Sequence, residues 1–173
     1  FLSPLDDMIT DEMIDRLGER SFNVLSDNGQ KYGVPRYYWA WQFYYNKSML
    51  ESVGVTEPPA TWDELIEVSG KLKEKGITPY GETWGEEFSY TPFIVHLRTE
   101  GGEFWDYEQG FPAFNSPEGI KALQRMQDLN LKHRFAVETS FEYNNTSSMT
   151  EAFAQGRFAM MMSNPATYSV VNN

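Results

Sequence analysis

The chain reads as an α/β protein, and three observations predict it. β-Favouring runs, Tyr37 to Tyr45 and Arg157 to Met162, are separated by stretches of helical periodicity over 61–76 and 116–129. Each of those helical stretches opens on a capping residue, Thr61 or Ser116, and the first runs out at Gly76. Finally, 173 residues with 40% hydrophobic content can bury one substantial core, or one lobe with part of another.

In chain order, residues 1–28 carry helical segments. Thr10 is placed to cap a helix whose apolar positions are Met13, Ile14 and Leu17, with Gly18 near its end. Asp27-Asn28-Gly29-Gln30 is a turn signal, and Lys31 to Pro35 leads out of it. Tyr37 to Tyr45 follows as an aromatic strand, suited to a pleated and partly buried surface. Ser48 to Val53 is a short helix closed by Gly54, and Pro58-Pro59 is a rigid connector.

Thr61 then caps a helix, with Glu64 three residues on to complete a capping box. Its core stripe is Trp62, Leu65, Ile66, Val68 and Leu72. Residues 77–91 are loop or short strand, and Phe93 to Leu97 lies in a helix ending before Gly101-Gly102. Ser116 with Pro117 opens the next helix, for which Ile120, Leu123, Met126 and Leu129 are expected to supply the buried face. Ser148 is expected to cap a further short helix that Gly156 terminates, and Arg157 to Met162 is a buried strand.

Composition excludes several functions. A net charge of −11 with no basic run argues against a nucleic-acid surface, which needs clustered Lys and Arg. Without Cys there are no disulfides, thiolate metal sites or Cys nucleophiles. The longest apolar run, Phe158 to Met162, falls far short of the roughly 18–20 residues of a membrane span. His96 and His133 form no metal-ligand spacing, and no G-x-S-x-G, Walker or G-x-G-x-x-G motif occurs. Adjacent acids such as Asp6-Asp7 and Glu86-Glu87 point apart and read as solvated charge rather than as a hydrolytic pair.

Several motifs stand in one order. They are Gly29-Gln30-Lys31-Tyr32-Gly33-Val34-Pro35, Tyr44-Tyr45-Asn46-Lys47 and Pro58-Pro59-Ala60-Thr61-Trp62-Asp63-Glu64-Leu65, then Gly101-Gly102, Asn115-Ser116-Pro117-Glu118 and Phe153 through Gly156-Arg157-Phe158-Ala159-Met160. With these, the chain resembles the family-one bacterial extracellular solute-binding proteins, of the maltose-binding type, over residues 29–165. The resemblance implies a type II periplasmic-binding-protein-like fold of two α/β lobes with ligand held between them. On that plan residues 1–38 are the C-terminal part of the first lobe with its crossover, and 39–173 are most of the second lobe. The chain is then a partial one.

The resemblance also implies a site. Aromatic rings match the apolar C–H faces that sugars present, and strand side chains alternate, so Tyr37, Trp39 and Trp41 share one side. At the crossover beside the cleft, one of Trp39 and Trp41 is expected to face ligand, while Phe43 and Tyr45 fill the core. The loop from Trp84 to Tyr90 stands where the maltose-binding type supplies an acid and an aromatic, which implies Glu86 and Phe88. Ser163 to Tyr168 stands where many relatives carry G-P-W; Ala166 takes the place of the stacking Trp. Tyr168 is the candidate replacement there, and Asn164 the candidate to bond a hydroxyl.

The implied function is capture of a mono- or oligosaccharide for an ABC importer, without enzymatic activity, cofactor or metal. Its partners are the small-molecule ligand and the permease subunits, with no nucleic acid, and membrane contact only through a lipid anchor or the permease. Its location is periplasmic or extracellular, as a cell-surface lipoprotein in a Gram-positive host. A carbohydrate-active hydrolase and a non-transport sugar receptor of the same fold are the rival readings.

Overall fold

The computed structural model describes residues 2–36, 40–84, 90–136 and 146–171, and its chain divides into two units, Phe1–Ala40 and Trp41–Asn173. In the first, α1 (Asp11–Leu17) starts where the sequence predicts: the Thr10 hydroxyl accepts the Met13 amide at 3.3 Å. β1 (Ser26–Asp27) and β2 (Gln30–Lys31) form an antiparallel hairpin. Its two turn residues, Asn28 and Gly29, have φ of 49° and 78°. This left-handed pair twists with the strands, and Asn and Gly adopt it at low steric cost.

The second unit runs β3 (Gln42–Tyr45), α2 (Lys47–Glu51), α3 (Trp62–Glu74), β4 (Tyr80–Gly81) and α4 (Tyr90–Thr99). It continues through the small hairpin β5 (Trp105–Asp106) and β6 (Phe111–Pro112) to α5 (Pro117–Gln127), which a π-type turn, Asp128–Lys132, extends. α6 (Thr146–Ala154), β7 (Met160–Ser163) and α7 (Thr167–Val171) complete it. The sheet has the order β3-β7-β4, with β3 antiparallel and β4 parallel to the central β7.

Pleating divides this sheet into two apolar faces. Phe43, Met160, Met162 and Tyr80 lie with Leu65, Val68 and Leu72 of α3 in one cluster, joined by Leu129 and Phe135. Met161 and Tyr44 meet Met149, Ala152 and Phe153 of α6 on the other. Covered on both faces, β7 reads as a continuous Met-Met-Met run instead of an alternation.

The capping signals at Thr61 and Ser116 hold their places. Thr61 Oγ1 accepts the Glu64 amide at 3.2 Å, but Glu64 reaches back to the Ala60 amide at 2.7 Å, one residue before the cap. Thr61→Ala is expected to cost about 1 kcal/mol of stability, read as a lower urea midpoint at unchanged slope. Ser116 likewise accepts from Gly119 at 3.2 Å. Asn46 adds a cap at the strand-to-helix corner: its side chain accepts from Met49 at 3.1 Å while its own amide donates to Ala159. That double use explains the Tyr-Asn-Lys motif as a structural corner.

Four sequence expectations are corrected, the first being Tyr45, which is 38% exposed at the end of β3 while Phe43 packs on the core as expected. Among the described residues of the expected strand, pairing covers Gln42–Tyr45 and not Ala40 or Trp41, because β7 offers four partners, Met160 to Ser163, and then turns away. Trp41 therefore lies before the strand, and Tyr37 to Trp39 lie outside the described residues. Met126 and Leu129 are buried as expected, but Ile120 and Leu123 are 67% and 58% exposed, and α5 buries Gly119 and Ala122 in their place. The small residues permit close approach, Gly119 lying hard against the Phe114 carbonyl, and that rotates the larger pair outward. Ser148 sits inside α6, which begins at Thr146, so it does not hold the cap position.

Candidate functional site

β4 and β7 are parallel, so their carboxyl ends emerge at one edge of the sheet, and the antiparallel β3 begins there. Ligands in open α/β sheets bind outside the carboxyl ends of the strands. This edge brings together Trp41 and Gln42, the segment Glu82-Thr83-Trp84 and the turn from Asn164 to Tyr168.

Two hydroxyl networks hold the β7 exit. The Tyr44 hydroxyl lies 2.9 Å from Gln42 Oε1 and 3.2 Å from the Asn164 carbonyl, tying the start of β3 to the end of β7. Burial raises this phenol above its ordinary pKa, so it stays protonated and able to donate. Behind the turn, Thr167 Oγ1 donates to Ser163 Oγ at 2.7 Å and lies 3.2 Å from Thr150 Oγ1, all three residues being buried.

Asn164 Oδ1 accepts the Ala166 amide at 2.9 Å, so the side chain is oriented by the turn and presents its Nδ2 donors. Asn164 also lines a pocket of about 230 Å³ with Thr146, Ser147, Thr150, Glu151 and Thr167. Such a wall supplies donors and acceptors to a polyhydroxyl ligand. Tyr168 is 62% exposed on α7 beside it.

The β4 exit is built differently. Tyr80, Glu82 and Trp84 follow the period of two and engage one another. Tyr80 Oη donates to Glu82 Oε1 at 3.0 Å, and Trp84 Nε1 donates to Glu82 Oε2 at 2.9 Å. His96 of α4 lies 2.7 Å from the same Oε1. Glu82 and His96 are 3% and 0% exposed. Burial is the largest influence on the carboxyl and pushes its pKa up, but the pull of His96 with the bonds from Trp84 and Tyr80 outweighs it. The net shift is downward, so the group is ionised and accepts only; His96 Nε2 therefore carries the shared proton. The imidazole stacks on Trp62 at 4.2 Å, and the Arg125 guanidinium also lies over that indole at 5.0 Å.

Of the residues predicted for the site, Trp41, Asn164 and Tyr168 fall at this edge, and Trp41 is half-buried. Tyr37, Trp39, Glu86 and Phe88 lie outside the described residues. Sequence reasoning missed Glu82 and Trp84. The signal available was the alternation Tyr80-x-Glu82-x-Trp84, with His96 set among Val95 and Leu97. Among the described residues no group of three His, Cys, Asp or Glu comes together as a metal site, and no helix is long and apolar enough to cross a membrane.

The family model for bacterial extracellular solute-binding proteins matches residues 1–172. The chain belongs to that family. Among curated proteins, this solute-binding protein is 31% identical over 139 residues to an arabinooligosaccharide-binding protein of Halalkalibacterium halodurans, covering 80% of this chain and 30% of that protein. The maltose-bound MalE3 of T. maritima superposes with a TM-score of 0.76 at 30% identity, covering 100% of this chain and 44% of the other. A tagatose-bound solute-binding protein of Thermotoga lettingae gives a TM-score of 0.82 at 26% identity, covering 99% and 45%. These neighbours establish the type II periplasmic-binding-protein-like fold expected from the sequence. The solute-binding chain thus spans less than half the length of each of these three relatives. Members of its family are binding proteins.

Proposed function

We propose that the whole protein captures a sugar or oligosaccharide outside the cytoplasm and delivers it to the permease of an ABC importer. In this reading residues 1–38 end the first lobe, and 39–173 form most of the second and one wall of the cleft. The observation that carries it is the carboxyl edge of the sheet. There the Asn164 pocket, rich in Thr and Ser hydroxyls, lies on an edge that also carries Trp41, Trp84 and Tyr168. Hydroxyl-bonding groups beside flat apolar rings are what a pyranose or furanose needs. Relatives that take arabinooligosaccharide, maltose and tagatose support the same ligand class.

Closure of the two lobes on the sugar would follow from differential affinity for the closed state, and the closed form would dock on the permease. The protein would work in the periplasm, or as a lipid-anchored protein on a Gram-positive surface. The decisive experiment is a thermal-shift screen of the full-length protein with arabinotriose, maltotriose, maltose and tagatose. One of them at a hundredfold excess over its Kd is expected to add about 2.7 kcal/mol of stability. Stabilisation by peptides or polyamines with every sugar silent would sink the reading, and so would turnover of the bound sugar.

A further inference from the structure

We propose that Glu82 is a positioning residue for the sugar site: its carboxylate, anchored in the core by His96 and Tyr80, fixes the ring plane of Trp84. This deepens the function proposed above and rests on it for the identity of the ligand, though not for the state of the ring.

The argument begins with the number of donors. Three hydrogens, from His96, Tyr80 and Trp84, converge on two oxygens of one buried acid. An ionised carboxylate is acceptor-only and takes all three, and charge assistance strengthens each bond. The anchor is itself rigid. His96 is wholly buried and stacked on Trp62, whose Nε1 donates to Thr99 at 2.9 Å, and the Thr99 hydroxyl donates back to the His96 carbonyl at 2.9 Å. Neither Glu82 nor His96 can reach a ligand. Trp84, half-buried where the chain leaves the sheet, is the member of the network that can.

A stacking ring is useful only when its plane is held to within about 10–20° of the productive orientation. An indole has two side-chain torsions, and the Nε1 bond to Glu82 restrains both. A structural account of the same acid would have it stabilise α4 against β4 with no consequence for the ring. The two accounts separate in Glu82→Gln, which keeps size but leaves one acceptor oxygen for three donors.

The test uses the full-length protein. In the wild type, the indole N–H resonance of Trp84, assigned by its absence in Trp84→Phe, should exchange slowly with solvent. In Glu82→Gln the exchange should quicken at least tenfold and acrylamide quenching of Trp84 fluorescence should rise. Arabinotriose, or maltotriose if that is the sugar bound, should bind about tenfold more weakly to Glu82→Gln. In the Trp84→Phe background the same substitution should leave affinity unchanged. An unprotected indole proton in the wild type overturns the proposal even if Glu82→Gln fails to fold. So does an affinity loss of equal size in both backgrounds. If no sugar binds while the indole proton is protected and released by Glu82→Gln, the functional reading fails and the positioning role stands.

Discussion

Replacing His96 by Ala is expected to lower the unfolding free energy by about 3–5 kcal/mol, the loss seen when a buried ionised group is left without one of its partners. The Glu82 carboxylate would keep its bonds from Trp84 and Tyr80 but lose the shortest, at 2.7 Å, in a place that water does not reach. The imidazole also covers the Trp62 ring, so a void would open beside the Arg125 contact. Replacing both Glu82 and His96 by Leu should cost less than the sum of the single changes, because no unpaired charge remains. Chemical denaturation of the four proteins of the cycle measures this; strict additivity would show that the pair is not coupled.

Acid should act on the same group. The Glu82 carboxyl titrates lower in the folded protein than its ordinary value, so its contribution is present above the unfolded value, about 4.3, and is lost as pH falls through the folded one. The penalty of Glu82→Gln should therefore shrink below about pH 4.

Leu72→Ala is expected to cost about 2–5 kcal/mol, the range for emptying a fully buried leucine site. Leu72 is 0% exposed and lies in the cluster that joins α3 to Tyr80, Met160 and Phe135. Its carbonyl also accepts the Lys75 and Ile77 amides where the helix ends, so backbone constraints limit how far the site can collapse. Leu123→Ala on α5 is the internal control. At 58% exposure it should change stability by less than about 0.5 kcal/mol. A comparable loss at both positions would mean that the assigned face of α5 is wrong.

The features legible in the sequence are those made by neighbours in the chain. Thr10, Thr61 and Ser116 each bond an amide three residues on, so residue type and spacing suffice to find them. The turn at Asn28-Gly29 is local in the same sense, and so is the buried strand, read as Arg157–Met162 and found at Met160–Ser163. The face of α5 was legible only in part: Met126 and Leu129 are buried as expected, whereas Ile120 and Leu123 are not. Two stripes on that helix have helical spacing, and the choice fell to Gly119 and Ala122 because small residues allow close approach.

By itself the sequence determined the α/β class, the order of the elements and, through Tyr44 to Lys47 and Pro58 to Leu65, the family. Corners and caps of this kind depend on a few consecutive residues. Tertiary structure alone decided which groups meet at the carboxyl edge of the sheet. Glu82 and His96 are fourteen residues apart, and Tyr44 and Asn164 are 120 apart. Such pairs form only because β4 runs parallel and β3 antiparallel to β7, and strand pairing is a long-range choice that no local pattern encodes.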